Sequence, residues 1–483
     1  MRYVSTRGQA PVLDFADAML AGLARDGGLY VPESWPTLAP EDIRALAGVG
    51  YAEAAYRITR PFVGDAIEVA TYRAIVDATY ANFTHAAVAP LKQLAPNLWL
   101  LELFHGPTLA FKDYAMQLLG NLFNHVLSAR GRRVTIVGAT SGDTGSAAIE
   151  ACKGHDAIDV VILYPHNRVS EVQRRQMTTV NAPNVHAFAV NGTFDDCQAI
   201  LKALFNDGSF RDEISLSGVN SINWARILGQ VVYYMVAGAA LGAPDRRISF
   251  AVPTGNFGNI YAGYVASRMG LPVAQLVLAT NANDILSRTL ATGTMKRGEV
   301  VPSLSPSMDI QVASNFERML FDLLGRDGAR VAQQMAAFAD TGELPLSPLA
   351  WREATGVFTG FRLDDAGTVA EIRDTFEATG EVLDPHTAIA VAGARAAHAD
   401  AAAPGAANLK TGGSAAAAPM VALATAHPAK FSDAVTRAIG RVPALPPHMA
   451  DLLARKETYT VIDNDVRAVK AAIRTCLAQG VQA

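Results

Sequence analysis

The spacing of apolar and polar positions divides the chain into regions of different texture. Over residues 1–95 apolar side chains recur at helical intervals. DFADAMLAGLARDGGLYVP predicts a helix that stops at Gly27 and Gly28, and helical patches follow around Pro40–Leu46 and Ile67–Tyr80. From Leu98 the run LWLLELF predicts a buried strand, and Ala110–Arg130 has helical periodicity. Strand and helix then alternate. VTIVGA (134–139), VVILYP (160–165) and VHAFAV are strand-like, while TGSAAIEACKG, VSEVQRRQMTTV and FDDCQAILKALFND are helical. The rhythm resumes with the apolar helix NWARILGQVVYYMVAGAALG, the strand ISFAVP, the helix NIYAGYVASRMG and the strand QLVLATN. Such alternation implies parallel strands joined by helical crossovers, so the fold class is α/β with two parallel sheets.

Residues 300–385 break the rhythm, with PSLSPS punctuation and the helices FERMLFDLLG and GTVAEIRDTFEATG, and read as an inserted helical region or lid. Residues 388–407 are Ala-rich, AAAPGAANLKTGGSAAAAP is loop-like, and MVALAT (420–425) is a final strand. The expected domains are a mostly helical N-terminal segment (1–95), a large α/β domain (96–130 and 220–483) and a small α/β domain (131–219).

Composition narrows the function classes. With 483 residues, 50% of them hydrophobic and 18% charged, the chain is globular. Lys plus Arg number 41 against 45 Asp plus Glu, and no basic tract is long enough to grip a phosphate backbone, so nucleic acid is not an expected partner. The longest apolar stretch, Val231–Pro244, is too short to cross a bilayer, and the first residues lack a signal-peptide pattern. The three cysteines have no CxxC spacing, which argues against a disulfide framework and a thiolate zinc site. A soluble, cytoplasmic protein is expected. No histidine pair has metal-helix spacing, so no metal is expected, and no GxSxG elbow supports a serine hydrolase.

Four segments fall at strand–loop–helix junctions, where open parallel sheets bind ligands. HGPTLAFKD (105–113) puts Lys112 at a helix start, where the dipole and partial burial lower an amine's proton affinity and suit it to Schiff-base chemistry; the plain alternative is a surface lysine. ATSGDTGSAA (139–148) offers backbone amides and the hydroxyls of Thr140, Ser141 and Thr144 to an anion; the plain alternative is a tight turn at Gly142 and Gly145, with Asp143 or Thr144 as helix cap. PTGNFGNIYAG (253–263) repeats the device with Asn256 and Asn259 and is not a P-loop. ATAHPAKF (424–431) places the Thr425 hydroxyl at a strand end, able to meet a ring nitrogen or to cap a helix.

In this order the four segments resemble the pyridoxal-phosphate enzymes of the tryptophan-synthase-β-like fold, fold type II, and in detail the threonine synthase family. The resemblance runs essentially end to end through STRG, DGGLYVP, HGPTLAFKD, TSGDTGSAA, SEVQRRQM, NSINWAR, PTGNFGN, PSMDI, SNFER, DPHTA and ATAHPAKF, and is similar to the longer bacterial and fungal branch. Asn167 stands where that family's pattern has glycine, a substitution that left-handed backbone tolerates. The resemblance implies that Lys112 carries pyridoxal 5'-phosphate, that Gly255, Asn256, Phe257, Gly258 and Asn259 surround its phosphate, and that Thr425 faces its ring nitrogen. It also implies that Thr140, Ser141, Gly142, Asp143 and Thr144 hold the carboxylate of O-phosphohomoserine. Ser170, Arg174, Asn220, Asn223 and Arg226 are the candidates for the leaving phosphate. His105, His386 and His427 lie inside family-like motifs without an assigned role. The rivals are a phospho-lyase or a serine/threonine dehydratase on the same scaffold, and a non-catalytic nucleotide-binding module. Monomer and homodimer both fit the sequence.

Overall fold

The computed structural model describes residues 1–218, 221–402 and 418–480. Two compact units divide the chain, one made of Met1–His105 with Ser221–Pro443 and the other of Gly106–Asn220 with Ala444–Ala483.

The first unit is built on a six-stranded sheet in the order Phe358–Arg362, Val273–Thr280, Ile248–Pro253, Met420–Ala424, Leu98–Glu102, Leu91–Ala95. All neighbours are parallel except the last pair. ISFAVP and MVALA are buried at every position, as strands covered on both faces must be. Met420 stands opposite both Leu98 and Ser249, so these three strands run level and their carboxyl ends emerge at one sheet edge. The helix Pro385–Ala402 lies on the sheet through Ala388, Ala390, Val391 and Ala394, packed with Leu98, Leu100, Ala251, Val277 and Ala422. Small side chains on a helix permit this close approach. The helix Trp224–Ala240 is apolar on nearly every face and accordingly buried.

At the N-terminal end, Tyr3–Ser5 pairs antiparallel with Tyr30–Pro32, and the helices Phe15–Ala21, Tyr51–Val63 and Val69–Tyr80 follow. The helix Tyr51–Val63 had no counterpart in the expected elements. The STRG motif is tied to SNFER, because the Thr6 hydroxyl donates to Glu317 at 2.7 Å and Arg7 forms a two-pronged pair with the same carboxylate.

The second unit holds a five-stranded, wholly parallel sheet in the order Thr460–Asp463, Val185–Asn191, Ile158–Pro165, Val134–Ala139, Leu216–Ser217. Its contents differ from the expected small domain, 131–219, at both ends. The helix Lys112–Ala129 joins it because that helix packs on Asp143–Cys152 so closely that a Cβ at Gly120 would overlap the Ala151 carbonyl oxygen. Residues from Ala444 join it because Thr460–Asp463 adds an edge strand and the helix Val466–Gly480 sends Val469 and Ile473 into the core beside Val190, Ile200 and Leu204.

Residues 300–385, expected as an inserted helical region or lid, contain the helices Phe316–Leu323, Gly328–Thr341, Pro348–Val357 and Asp365–Thr379, and within them Phe358–Arg362 is an edge strand of the main sheet, parallel to Val273–Thr280. The Ala-rich loop expected at 401–419 lies largely outside the described residues.

Candidate active site

In the first unit the strand Ile248–Pro253 runs into Thr254–Phe257 and then the helix Gly258–Arg268. Phe257 sits in left-handed backbone, φ 62°, which a non-glycine residue adopts at a cost of about 1 kcal/mol. Its buried ring, packed against Phe316, Phe358 and Tyr261 with centroids 5.4, 5.4 and 6.3 Å away, holds it there. The N–H groups of Gly255, Asn256, Phe257, Gly258 and Asn259 have no hydrogen-bond partner among the described residues. Gly255 has no room for a side chain, since a Cβ would stand 2.8 Å from the Ser307 carbonyl oxygen. Asn259 is buried; its Oδ1 accepts from the hydroxyls of Tyr233 at 2.5 Å and Tyr234 at 3.0 Å, while its Nδ2 is unpartnered. Asn315, from SNFER, braces the loop from behind by donating through its N–H and its Nδ2 to the Asn256 carbonyl, each at 3.2 Å.

Thr425 follows the neighbouring strand Met420–Ala424, so it leaves the same edge of the sheet, and it is buried. Its N–H donates to the Thr387 hydroxyl at 3.2 Å. His427 caps the short 3₁₀ turn Pro428–Phe431 by accepting from the Ala429 N–H, and His105 Nε2 pairs with Glu102 at 2.7 Å.

Two more candidates belong to this unit. Asn223 is consumed structurally, as its Oδ1 accepts from the Ala225 N–H at 3.0 Å and its Nδ2 donates to the Met19 carbonyl at 2.8 Å. Arg226, one turn into the same helix, is buried with Nε and Nη1 unpartnered. Desolvation pulls its pKa down to about 10, so it keeps its charge at neutral pH. On the next turn of that helix face, the buried Gln230 leaves its Oε1 unpartnered. Asn220 lies outside the described residues.

In the second unit Lys112 is the first residue of the helix Lys112–Ala129 and is buried. The loop before it is shaped by Asp113, which accepts from the Thr108 N–H at 2.8 Å and its hydroxyl at 2.5 Å; Gly106 is required because a Cβ there would meet that carboxylate. Lys112 Nζ lies 3.2 Å from Asp143 Oδ2. Asp143 opens the helix Asp143–Cys152 and also accepts from Gln173 Nε2 at 2.9 Å. The cap at Asp143 or Thr144 that the plain-turn alternative implied is not formed; the Thr140 hydroxyl oxygen accepts from the N–H groups of Gly142 and Gly145 instead, both at 2.9 Å. Gly142 sits at φ 140° and its missing Cβ leaves space for the Gln173 amide. The N–H groups of Ser141 and Thr144 have no partner among the described residues.

Ser170 caps the helix Glu171–Thr178, accepting from the Gln173 N–H and donating to its Oε1. Arg174 is engaged by Glu457 at 2.8 and 3.3 Å, which holds the guanidinium to its own unit. Asn167 adopts φ 59°, the left-handed backbone that its glycine-like position demands. Gln173, Asp384, Thr387 and Asn315 were not among the residues singled out from the sequence. All four sit inside quoted motifs, so the signal was present as pattern without partners.

A family model for pyridoxal-phosphate dependent enzymes matches residues 84–344; models for the threonine synthase N terminus and the threonine synthase C-terminal region match 2–80 and 387–473. A curated threonine synthase of Pseudomonas aeruginosa is 53% identical over 474 residues, 98% of each chain. The chain belongs to the threonine synthase family. A threonine synthase of Saccharomyces cerevisiae is 38% identical over 519 residues, covering 99% of this chain and 98% of its own. The crystal structure of a pyridoxal-phosphate-bound threonine synthase from Brucella melitensis matches with TM-score 0.93 at 53% identity over 99% of each chain. Membership makes the protein a pyridoxal-phosphate-dependent lyase of threonine biosynthesis with the fold type II architecture, and does not favour the rival readings as a phospho-lyase giving 2-oxobutanoate, a dehydratase or a nucleotide-binding module. No described helix is long and apolar enough to cross a membrane.

Proposed function

We propose that the substrate is O-phospho-L-homoserine, taken with water to L-threonine and phosphate, and that the work is divided among the residues above. The observation that carries this division is the run of five unpartnered amides at Gly255–Asn259 on the N-terminus of an eleven-residue helix. Aligned orphan donors at a helix start are a phosphate cradle, and a loop without room for a Cβ at Gly255 lets the anion approach the backbone. These residues fit the phosphate of pyridoxal phosphate, as Lys112 fits its aldehyde and the Thr425 hydroxyl its ring nitrogen.

When bound, the cofactor would withdraw electrons from the substrate's α-carbon, so that the α-proton, a β-proton and the γ-phosphate can leave and water can add at the β-carbon. The chain supplies the rest. Lys112, as a neutral amine, removes and returns the proton at the α-carbon, with Asp143 at 3.2 Å able to hold the proton charge it gains. The Ser141 and Thr144 amides bind the substrate carboxylate, and the Thr140 hydroxyl fixes their loop rather than binding directly. Arg226 binds the γ-phosphate, because an anion is what a buried, unpartnered guanidinium lacks. Ser170 and Arg174 are less available for it, being committed to a helix cap and to Glu457. We further propose a reducing cytoplasmic setting, in keeping with the three free cysteines.

Borohydride treatment of the yellow holoprotein should fix the cofactor to the chain at Lys112, and Lys112→Ala should lose both colour and turnover. Retained turnover in that variant would remove Lys112 from the reaction.

A further inference from the structure

Asp384 immediately precedes the helix Pro385–Ala402 and is fully buried. It accepts from the N–H groups of His386 at 2.9 Å and Thr387 at 3.2 Å, from His386 Nδ1 at 2.8 Å, and from the Thr387 hydroxyl. A carboxylate that fills its acceptor sites in this way fixes both side chains in one orientation. With Nδ1 committed to Asp384, the His386 ring presents Nε2 as an acceptor, and the Ser307 N–H meets it at 3.3 Å. The Thr387 hydroxyl has given its only proton to Asp384, so its lone pair receives the Thr425 N–H at 3.2 Å.

Both outputs end on residues beside the cofactor groups. The Ser307 carbonyl is the surface against which Gly255 is seated, and Thr425 carries the hydroxyl assigned to the ring nitrogen. We propose that Asp384, acting through Thr387 and His386, is the positioning residue that registers the Thr425 hydroxyl and the phosphate loop to the same cofactor. DPHTA is thus a bracket linking a strand end to the loop beside it, and its polar residues serve geometry instead of proton transfer. The inference rests on the assignment of Thr425 made above.

The experiment compares Thr387→Val, Thr387→Ser, Asp384→Asn and Thr425→Val, titrating each apoprotein with pyridoxal phosphate and recording the absorption spectrum of the bound cofactor, the apoprotein melting temperature, kcat and KM. Thr387→Val should move the cofactor band in the same direction as Thr425→Val and lower kcat about tenfold or more with KM little changed, since sub-ångström misplacement is costly. Thr387→Ser restores the acceptor and should recover the wild-type band and kcat. Asp384→Asn keeps the size but loses an acceptor, and should shift the band at least as far. A wild-type band and kcat in folded Thr387→Val or Asp384→Asn, with Thr425→Val altered, would overturn the inference and leave the Thr425 assignment standing. A silent Thr425→Val would overturn that assignment, and the inference with it.

Discussion

The buried guanidinium of Arg226 leaves Nε and Nη1 unpartnered, which costs the ligand-free protein free energy. On the role proposed for it, bound phosphate returns that free energy, and function opposes stability at this one residue. Arg226→Met should therefore raise the melting stability of the apoprotein by about 1 kcal/mol or more while raising KM for O-phosphohomoserine. Calorimetry of the apoprotein checks the first half and steady-state kinetics the second; with the cofactor bound, so that the Gly255–Asn259 amides are filled, inorganic phosphate should stabilise the wild type and not the variant. Gly255→Ala tests the cradle: a Cβ 2.8 Å from the Ser307 carbonyl must displace backbone, and the cofactor's dissociation constant should rise roughly tenfold, about 1.4 kcal/mol. Fluorescence titration of the apoprotein gives the number. At this scale the sequence made Lys112 and the glycine loops legible, because a lysine or a glycine run at a strand–helix junction carries its chemistry locally. Asp384 and Gln173 were not legible as parts of the candidate site, since the hydrogen-bond networks they belong to end on Thr425, Ser307 and Asp143, which are remote in sequence.

At the scale of elements, the contact between Lys112–Ala129 and Asp143–Cys152 sets the distance from Lys112 to Asp143, and Gly120 sets the contact. Gly120→Ala should destabilise the second unit by about 1–3 kcal/mol through overpacking, despite alanine's better helix propensity. A falling melting temperature together with weaker cofactor binding would bear this out; a gain in stability would show that the helices slide apart freely. The buried strands were readable: VTIVGA spans the observed Val134–Ala139 residue for residue, and the helix at Lys112–Ala129 lies within the expected 110–130. The edge strands were not. Leu91–Ala95, Phe358–Arg362 and Thr460–Asp463 are short and largely exposed, so they lack the apolar run or clean alternation that marks a strand in sequence.

For the whole molecule, the domain boundaries were the least legible feature, because the second unit draws its edge strand and a core helix from the far end of the chain. That closing segment is held by ion pairs as well as by Val469 and Ile473. Lys470 holds the Asp207 carboxyl well below its usual range, Arg474 lowers Glu213, and Glu457, which burial alone would raise, is kept low by Arg174 and Thr178. Carboxylates depressed in the folded state contribute stability above their unfolded value near 4 and lose it as the pH falls through the folded value. Amide protection in the helix Val466–Gly480 should therefore fall below about pH 4, before that of the strands Val134–Ala139 and Ile158–Pro165. Hydrogen exchange at pH 7 and pH 3.5 measures this, and equal protection at both would remove the ion pairs from the account.

The most direct test of the central claim is a product balance. Purified protein is supplied with pyridoxal phosphate and O-phosphohomoserine, and phosphate, L-threonine and 2-oxobutanoate are followed together. Release of phosphate matched mole for mole by L-threonine is the predicted result; phosphate matched by 2-oxobutanoate, or no phosphate at all, would contradict it.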